Sequence, residues 1–566
     1  MITMRCWLCV CIILLGGCGG GGSDTPPPAS GTPQNQTLTG ILQKTDLPPP
    51  ATLSATPANL PSFVAFESGQ VRPLALSEDG RQLYAVNTPD NRLEVFSIIG
   101  ATLHHVQSVP VGLEPVAVAV SGDQVWVVNH LSDSVSVVSV AQSPYRVIRT
   151  LLVGDEPRDI VFAGPGMSRA FITTAHRGQN TSIEPQLTTP GLGRADVVVF
   201  SRDNPGAGPG GEPLVTLTLF GDTPRALASN ADGSRVYAAV FNSGNQTTVV
   251  RAIPTLNKAP PFANIEGITA PESAYILKFN GSNWVDEAGR HFDQQANLNL
   301  PDLDVFEIDT MGEVPRQVNE WAGVGTTLYN MVVSPVSGDV FVSNTEARNH
   351  VRFEGPGNNA STLRGNFVDS RLSLLRNDGS VMTQSLNPHI DRSRSTGTAA
   401  ERELSLALPL EIAISRDGAN LYMVAMGSNK IAVIPAVTIG TDTFQPAAQT
   451  HITVSGGGPT GIVLDEPRNQ AYVLTRFDNG ISVIDLASES EIAHVKMYNP
   501  EPPSIITGRK FLYDAALTSS TGDSACALCH VFADTDHLSW DLGNPDDIEM
   551  TNPFGPVPFS NPINGR

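Results

Sequence analysis

Two cysteines and a histidine stand close together near the end of the sequence. Cys526-Ala527-Leu528-Cys529-His530 places two thiols three residues apart, with an imidazole directly after the second. Residues i and i+3 share one face of a helix, so both thiols can reach one planar ligand. This spacing fits c-type haem attachment, in which the thiols form thioethers and the imidazole binds iron. The sequence therefore predicts one covalent haem c, anchored by Cys526 and Cys529, with His530 as axial ligand.

Two other uses of the motif are weaker. A structural zinc site needs four ligands. Cys526, Cys529, His530 and His537 could supply them, but ligands adjacent in sequence make poor geometry. A thioredoxin-like dithiol would follow a strand in a βαβ unit, whereas the motif follows the loop-like stretch "SSTGDSA".

The remaining cysteines indicate export. Cys6, Cys9 and Cys11 lie in a short apolar run that is followed by Leu15-Gly16-Gly17-Cys18. The run is shorter than the ~20 residues that span a bilayer and fits a secretory signal. Its end resembles the lipobox of bacterial lipoproteins, which implies cleavage after residue 17 and a lipid on Cys18. The alternative is an ordinary signal peptide with a cysteine near its cleavage site.

Localisation follows from these features. Gly19 stands after Cys18 where Asp would signal inner-membrane retention, so we expect a periplasmic or surface protein anchored in the outer membrane. Bacterial haem c attachment also occurs outside the cytoplasm, in agreement with export. Residues 18–50 have the Gly- and Pro-rich composition of a flexible tether. We therefore expect the protein to contact the membrane only through the lipid on Cys18.

The overall charge limits the partners. The 566 residues include 35 basic and 56 acidic side chains, for a formal charge of −21, and no basic tract stands out. Nucleic acid and anionic lipid are therefore excluded as expected partners, whereas a cationic redox protein would be attracted.

A repeat fills the middle of the chain. "PLALSEDGRQLYAVNTPDNRLEVFSI" begins at residue 73, and related segments begin at 115, 157, 224, 328, 409 and 459. Each has an apolar strand, a turn rich in Asp, Gly and Ser, a second β-rich strand that ends near Asn, and then a third alternating strand, which falls at 246–250 in the segment that begins at 224. The first two steps are 42 residues (115 − 73 and 157 − 115), the size of a four-stranded propeller blade. We expect a mainly β protein with a seven-bladed β-propeller over 51–498.

Details of this propeller can also be predicted. Insertions are expected at 251–300 and 346–400, and a strand from about 60–70 is expected to join the last blade. The segments "LYAVN" and "VWVVN" resemble the YVTN family of bacterial β-propellers, a resemblance that covers roughly 60–490. Polar residues at the ends of the second strands form a candidate binding funnel, with turn capping as the alternative. They are Asn87, Asn129, His130, His176, Arg177, Asn242, Asn344, Arg348, Asn429 and Arg476.

The stretch that leads into the Cys-His motif carries a second resemblance. "TGRKFLYDAALTSSTGDSACALCH" (507–530) is similar to the haem segment of di-haem cytochrome c peroxidases, through Gly508, Arg509, Phe511, Leu512, Asp514, Leu517 and Ser519. That family carries two haems, but this sequence has one haem motif. We expect a helical cytochrome segment over 499–566 that is truncated. Its sixth iron ligand is not identified, with Met550 as a weak candidate and His537 as the other.

Three functions remain open from the sequence. The first is electron transfer by an exported haem c protein whose propeller is a docking or substrate-binding platform for a redox partner. The second is a peroxidase-like oxidoreductase completed by a second haem domain. The third is a binding propeller with a non-essential haem segment. No catalytic residue can be assigned, and oligomeric state cannot be predicted.

Overall fold

The structure of the protein is a computed structural model. It describes residues 66–176, 193–251, 274–296, 302–351, 365–394, 396–441, 443–541 and 563–564. Cys18, Arg177 and Met550, together with the predicted signal peptide and tether, lie outside the described residues. Among the described residues, no helix combines the length and the apolar character needed to cross a membrane.

Four-stranded antiparallel sheets dominate the described chain, which contains seven of them, numbered here in chain order. Sheet 1 comprises Leu74–Leu76, Gln82–Asn87, Arg92–Ile99 and Thr102–Pro110. Sheet 2 comprises Pro115–Ser121, Gln124–Asn129, Ser134–Ser139 and Arg146–Leu152. Sheet 3 comprises Ile160–Ala163, Arg169–Ala175, Ala195–Ser201 and Val215–Leu219. Sheet 4 comprises Pro224–Ser229, Arg235–Val240, Val305–Asp309 and Arg316–Trp321. Sheet 5 comprises Thr327–Val333, Val340–Ala347, Val368–Leu375 and Val381–Ser385. Sheet 6 comprises Pro409–Ile414, Asn420–Ala425, Lys430–Pro435 and His451–Thr453. Sheet 7 comprises Pro459–Asp465, Gln470–Thr475, Gly480–Asp485 and Ser490–Lys496.

The sheets succeed one another in a closed circuit. The first strand of each sheet neighbours the first strand of the next, and the first strand of sheet 7 neighbours that of sheet 1. Val, Ile and Leu side chains of adjoining sheets pack together in buried clusters between them. Four-stranded antiparallel sheets in this arrangement are consistent with the β-propeller fold.

Each sheet repeats one aromatic position. The second strand carries an aromatic residue directly opposite an Ala or Val of the first strand. The seven aromatic residues are Tyr84, Trp126, Phe171, Tyr237, Phe341, Tyr422 and Tyr472. A large side chain of the second strand therefore lies opposite a small one of the first strand in every sheet.

Two smaller sheets and three α-helices complete the described part. The small sheets pair Thr247–Arg251, Ala274–Phe279 and Trp284–Val285, and Trp540–Asp541 with Ile563–Asn564. The helices are α1 (Ala399–Leu404), α2 (Pro503–Tyr513) and α3 (Ala515–Thr518). The 3-10 turns are Thr88–Asp90, His130–Ser132, Pro165–Met167, Met426–Ser428, Ala436–Thr438, Ala448–Thr450, Glu466–Arg468, Cys526–Leu528 and Val531–Ala533.

Three details differ from the sequence-based expectations. The stretch 246–250 is not the third strand of sheet 4; it pairs in the small three-stranded sheet, and Val305–Asp309 takes the expected place. The region 346–400 is not wholly an insertion, because it contains the third and fourth strands of sheet 5. Residues 66–70 form no strand with sheet 7, whose fourth strand is Ser490–Lys496.

Residues 66–72 instead run into the centre of the circuit, and we call them the channel segment. The backbone N–H of Val71 donates to Val116 O at 2.9 Å, and Asn330 Nδ2 donates to Val71 O at 2.8 Å. Arg225 is 1% exposed and donates to Gly69 O and Gln70 O at 3.2 and 2.7 Å. Buried backbone polar groups need such partners, so strands of three sheets hold the channel segment.

The C-terminal segment, defined here as residues 499–541, lies on the face of the sheets where the second strands end. Asn429 Nδ2 donates to Asp514 Oδ2 at 3.0 Å, and Asn349 Nδ2 donates to Ser539 O at 3.0 Å. Apolar residues of the segment, among them Leu528 and Val531, join a buried cluster with residues of sheets 5, 6 and 7. The segment is thus held to this face by both polar and apolar contacts.

A buried ion network fastens the C-terminal segment. Glu501 accepts hydrogen bonds from Arg476, which follows the second strand of sheet 7, and from Arg509 of α2. Arg509 also binds Glu67 of the channel segment, with Nη2 at 2.7 Å from Oε1. The side chains of Glu501, Arg476 and Arg509 are 3%, 4% and 2% exposed. The network therefore ties three parts of the chain together away from water.

Removal of the shared carboxylate should destabilise the protein. Glu501→Gln removes the anion of the buried Arg476 and one of the two carboxylates that bind Arg509, and breaking a buried pair costs about 3–5 kcal/mol. Urea denaturation at pH 7 should show a fall of that size in the free energy of unfolding. Glu320→Gln, on an exposed outer strand, should change it by less than about 0.5 kcal/mol. Equal stability of the two variants would contradict the role assigned to the network.

The same network predicts a pH dependence. Burial opposes ionisation of Glu501, but hydrogen bonds from Arg509 and Arg476 outweigh it and lower the pKa from 4.5 to about 2. The ionised carboxylate therefore stabilises the folded state fully above about pH 4.5, and this contribution is lost as the pH falls towards 2. The stability difference between wild type and Glu501→Gln should shrink over that interval.

Candidate functional site

The predicted haem-binding residues lie on one turn of the C-terminal segment. Cys526–Leu528 forms a 3-10 turn, and the backbone N–H groups of Cys529 and His530 donate to Cys526 O at 3.2 and 2.9 Å. The turn neighbours α2. Ala527 and Leu528, between the two cysteines, are buried. Burial of these two residues anchors the turn and leaves Cys526 and His530 exposed.

The two thiols differ in environment. Both cysteines are free thiols; Cys526 is exposed and Cys529 is half-buried. Burial raises the pKa of the Cys529 thiol, and the Asp536 carboxylate raises it further. The Asp536 backbone N–H donates to Cys529 O at 2.8 Å, and Trp540 Nε1 donates to Asp536 Oδ2 at 2.8 Å. These contacts fold residues 529–540 into a compact loop beside the motif.

The His530 ring has one nitrogen engaged. Its Nδ1 lies 3.2 Å from the backbone carbonyl oxygen of Asp534. A carbonyl oxygen can only accept, so Nδ1 carries the proton and Nε2 keeps its lone pair. Metal-binding histidines commonly have this second hydrogen bond, which sets the tautomer and the ring orientation. With Nδ1 engaged by Asp534 O, Nε2 is the ring nitrogen that is left for a ligand.

The residues present fit haem c in their chemistry. Two free thiols and an imidazole with an available nitrogen lie on one turn. The same segment exposes two large apolar side chains, Phe511 and Leu517. Cys529 has less free surface than Cys526, so thioether formation at Cys529 requires its side chain to face the porphyrin rather than the protein interior. Among the described residues, no group of three or more His, Cys, Asp and Glu side chains could hold a metal ion.

The residues shared with the peroxidase-type segment have structural roles here. Arg509 belongs to the buried ion network. Asp514 caps α3 by accepting from Leu517 N at 3.0 Å and also accepts from Asn429. Trp540 is buried and contacts Phe367 edge to face, as expected for core packing. His537 is exposed and has a left-handed backbone conformation, with φ of 57°.

Most residues of the predicted funnel are engaged with the protein itself. Asn129 is fully buried and donates to Ser134 and Ser136, and Asn344 donates to Ser373. His176 Nδ1 lies 2.7 Å from Asp196 Oδ2. These contacts join neighbouring strands, and Asn129 makes no side-chain hydrogen bond that caps the 3-10 turn after it. Asn429 and Arg476, in contrast, bind the C-terminal segment.

The interior below the C-terminal segment is unusually cationic. Burial lowers the pKa of Arg225 to about 9, and the Arg158 charge adds to the effect. The Arg225 guanidinium lies 4.7 Å from the centroid of Phe532 and 4.9 Å from that of Phe241. Burial, assisted by Arg158, lowers the pKa of His130 to about 3, so this imidazole is neutral. Sequence reasoning missed Arg225 and Phe532, because neither belongs to a recognisable motif.

No family model and no curated protein matches the sequence. Solved structures with a similar chain course include Kuenenia stuttgartiensis hydrazine synthase, with 15% identity over 77% of this chain and 100% of that chain, and a TM-score of 0.47. A functionally unknown protein from Desulfotomaculum acetoxidans has 14% identity over 73% and 94%, with a TM-score of 0.40. Apo AztD from Citrobacter koseri has 11% identity over 76% and 86%, with a TM-score of 0.35.

The unequal environments of the thiols lead to a test on the haem-free protein. Full-length protein produced in the cytoplasm should react with iodoacetamide at Cys526 at least about tenfold faster than at Cys529, because only exposed thiolate reacts. Peptide mass spectrometry of timed samples at pH 8 separates the two rates. In urea the rates should become similar. Equal rates in the folded protein would contradict the burial of Cys529.

Proposed function

We propose that the chain is an exported, lipid-anchored haem c protein that transfers electrons. Haem, when bound, supplies a one-electron carrier. The observation that carries the proposal is the turn at Cys526–Leu528, which presents two free thiols and an imidazole whose Nδ1 is engaged by Asp534 O. Cys526 and Cys529 would hold the group through thioethers, and His530 Nε2 would bind its iron.

The body of the protein is proposed to be a seven-bladed propeller over 51–498 that carries a cytochrome segment from residue 499. Seven four-stranded sheets and the neighbouring first strands of sheets 7 and 1 support this number. The ion network of Glu501 holds the cytochrome segment on one face, so the ring would act as a platform that positions the haem. The charge of −21 favours a cationic redox partner at that platform.

Electron transfer is preferred over peroxidase-like activity for a chemical reason. The resemblance to di-haem peroxidases implies one haem for electron entry and another for peroxide, whereas the sequence carries one Cys-x-x-Cys-His motif. Arg509 and Asp514 carry part of that resemblance. In this structure Arg509 binds Glu501 in the buried ion network, and Asp514 caps the first turn of α3.

Covalent attachment can be tested directly. Protein matured in a bacterial periplasm with the haem c assembly machinery should keep its haem through acid–acetone extraction, because thioethers survive denaturation. Cys526→Ala should sharply reduce covalent haem, and His530→Ala should alter the visible spectrum. His104→Ala, which changes an exposed histidine on an outer strand, is the matched control and should change neither. Complete extraction of haem from the wild type would refute the c-type assignment.

The lipid anchor is tested separately. Wild-type protein should fractionate with the outer membrane, and Cys18→Ser should release the protein or leave it unprocessed. Cys11→Ser, in the predicted signal peptide, should leave anchoring unchanged. Mass spectrometry of the N-terminal peptide identifies the lipid. Wild-type protein found wholly in the soluble fraction, without a lipidated peptide, would remove the anchor from the proposal.

A further inference from the structure

A cavity of about 620 Å³ lies at the centre of the sheets and belongs to no site described above. All seven first strands line it. In most of the first strands the lining residues are the later ones, such as Val120, Val333 and Leu464. The C-terminal segment contacts the ends of the antiparallel second strands, so the cavity lies towards the opposite face. Its volume is typical of small-molecule sites.

The side chains of the cavity wall are mainly small and apolar. All seven positions opposite the second-strand aromatic residues border the cavity, and each is Ala or Val. They are Ala75, Ala119, Val161, Ala228, Val332, Ala413 and Val463. Larger apolar residues, including Phe162 and Met331, complete the wall. The repeated small residue thus creates an apolar space in the middle of the molecule.

One end of the cavity is polar. Arg72 and Glu411 line it, and Arg72 Nη1 donates to Glu411 Oε1 at 3.1 Å. Arg72 Nη2 donates to Leu227 O at 2.9 Å and to the buried Asp159 Oδ2 at 3.4 Å. Arg72 Nε is buried and has no hydrogen-bond partner in the part of the chain that the structure describes. A buried donor without a partner is costly, and this one belongs to a side chain that lines the cavity.

The charge of Arg72 is already paired within the protein. Its guanidinium group hydrogen-bonds to the carboxyl groups of Glu411 and Asp159. Burial raises the pKa of both carboxyl groups, to about 8 for Glu411, and Arg72 opposes that rise. A charged ligand would lose its hydration and gain no net counter-charge.

We propose that this cavity binds a small, neutral, mainly apolar molecule that carries a carbonyl-type hydrogen-bond acceptor. The apolar body fills the space between the first strands, and the acceptor takes a hydrogen bond from Arg72 Nε. The site does not depend on the haem, since the channel segment and Arg225 lie between it and the C-terminal segment. Binding and haem loading can therefore fail independently.

The test uses three naphthalene probes with the same fluorescent body. The probes are 6-propionyl-2-dimethylaminonaphthalene and its analogues with a carboxylate or an aminomethyl group in place of the ketone. With full-length protein at pH 7, the ketone should bind with an emission shift to the blue and at least about tenfold more tightly than either charged analogue. Competition by 2-acetylnaphthalene should displace it.

Cavity-filling variants locate the site. Ala413→Phe and Ala119→Phe, on different sheets, should each weaken ketone binding at least about tenfold, because the added ring occupies apolar volume. Ala288→Phe, at an exposed position outside the seven sheets, should leave it unchanged. Circular dichroism and thermal unfolding verify folding. The wild-type selectivity among the probes decides the matter if both filled variants unfold.

Three outcomes would overturn the proposal. They are no binding of the ketone to wild-type protein, equal binding of the ketone and a charged analogue, and unchanged ketone binding in folded Ala413→Phe and Ala119→Phe. Any of these would leave the haem assignment intact. Conversely, loss of haem in Cys526→Ala without a change in ketone binding would support the independence of the two sites.

Discussion

The structure depends on a segment of backbone that runs through the middle of the sheets, where every polar group needs a partner. Residues 66–72 find these partners on the first strands. In five of the seven sheets the pairing of the first and second strands shifts register just after the first strand begins. Such bulges redirect side chains and backbone groups. Here they redirect them to the channel segment.

The bulges explain how an apolar repeat supplies so many polar contacts. Arg225 lies in the bulge of sheet 4 and donates to Gly69 O and Gln70 O. Glu411 lies in the bulge of sheet 6 and accepts a hydrogen bond from Arg72. Thr460 lies in the bulge of sheet 7 and donates a hydrogen bond to the Gln70 side chain. One local irregularity, repeated from sheet to sheet, therefore anchors the same short segment from several directions.

The channel segment in turn connects the haem motif to the sheets. Phe532, which follows the motif, lies so close to Gly69 that a Cβ atom there would be 2.4 Å from its ring. Glu67 binds Arg509, and Arg509 shares Glu501 with Arg476. The C-terminal segment therefore rests on the channel segment as well as on the sheets. Its position is determined by buried contacts rather than by a linker.

Sequence reasoning reached the elements that repeat. The spacing of 42 residues, the paired β-rich stretches and the Asn at the ends of second strands indicated four-stranded units, and the Cys-x-x-Cys-His spacing placed two thiols and an imidazole close together. It could not reach contacts between distant residues that belong to no motif. Arg72 and Glu411 are 339 residues apart, and Arg509 and Glu67 are 442 apart. It also misassigned 246–250, because that stretch has the same alternation as a true third strand and local pattern does not specify a pairing partner.

The Cys-His motif and the central cavity lie towards opposite faces of the sheets. At the face where the second strands end, the C-terminal segment presents two thiols and an imidazole, with Cys526 and His530 exposed. Towards the other face, small residues leave an apolar space that ends at Arg72 and Glu411. The channel segment lies between them, and its residues serve both sides: Gly69 contacts Phe532, whereas Arg72, three residues later, borders the cavity. A change in the channel segment would therefore affect both sites, although neither touches the other directly.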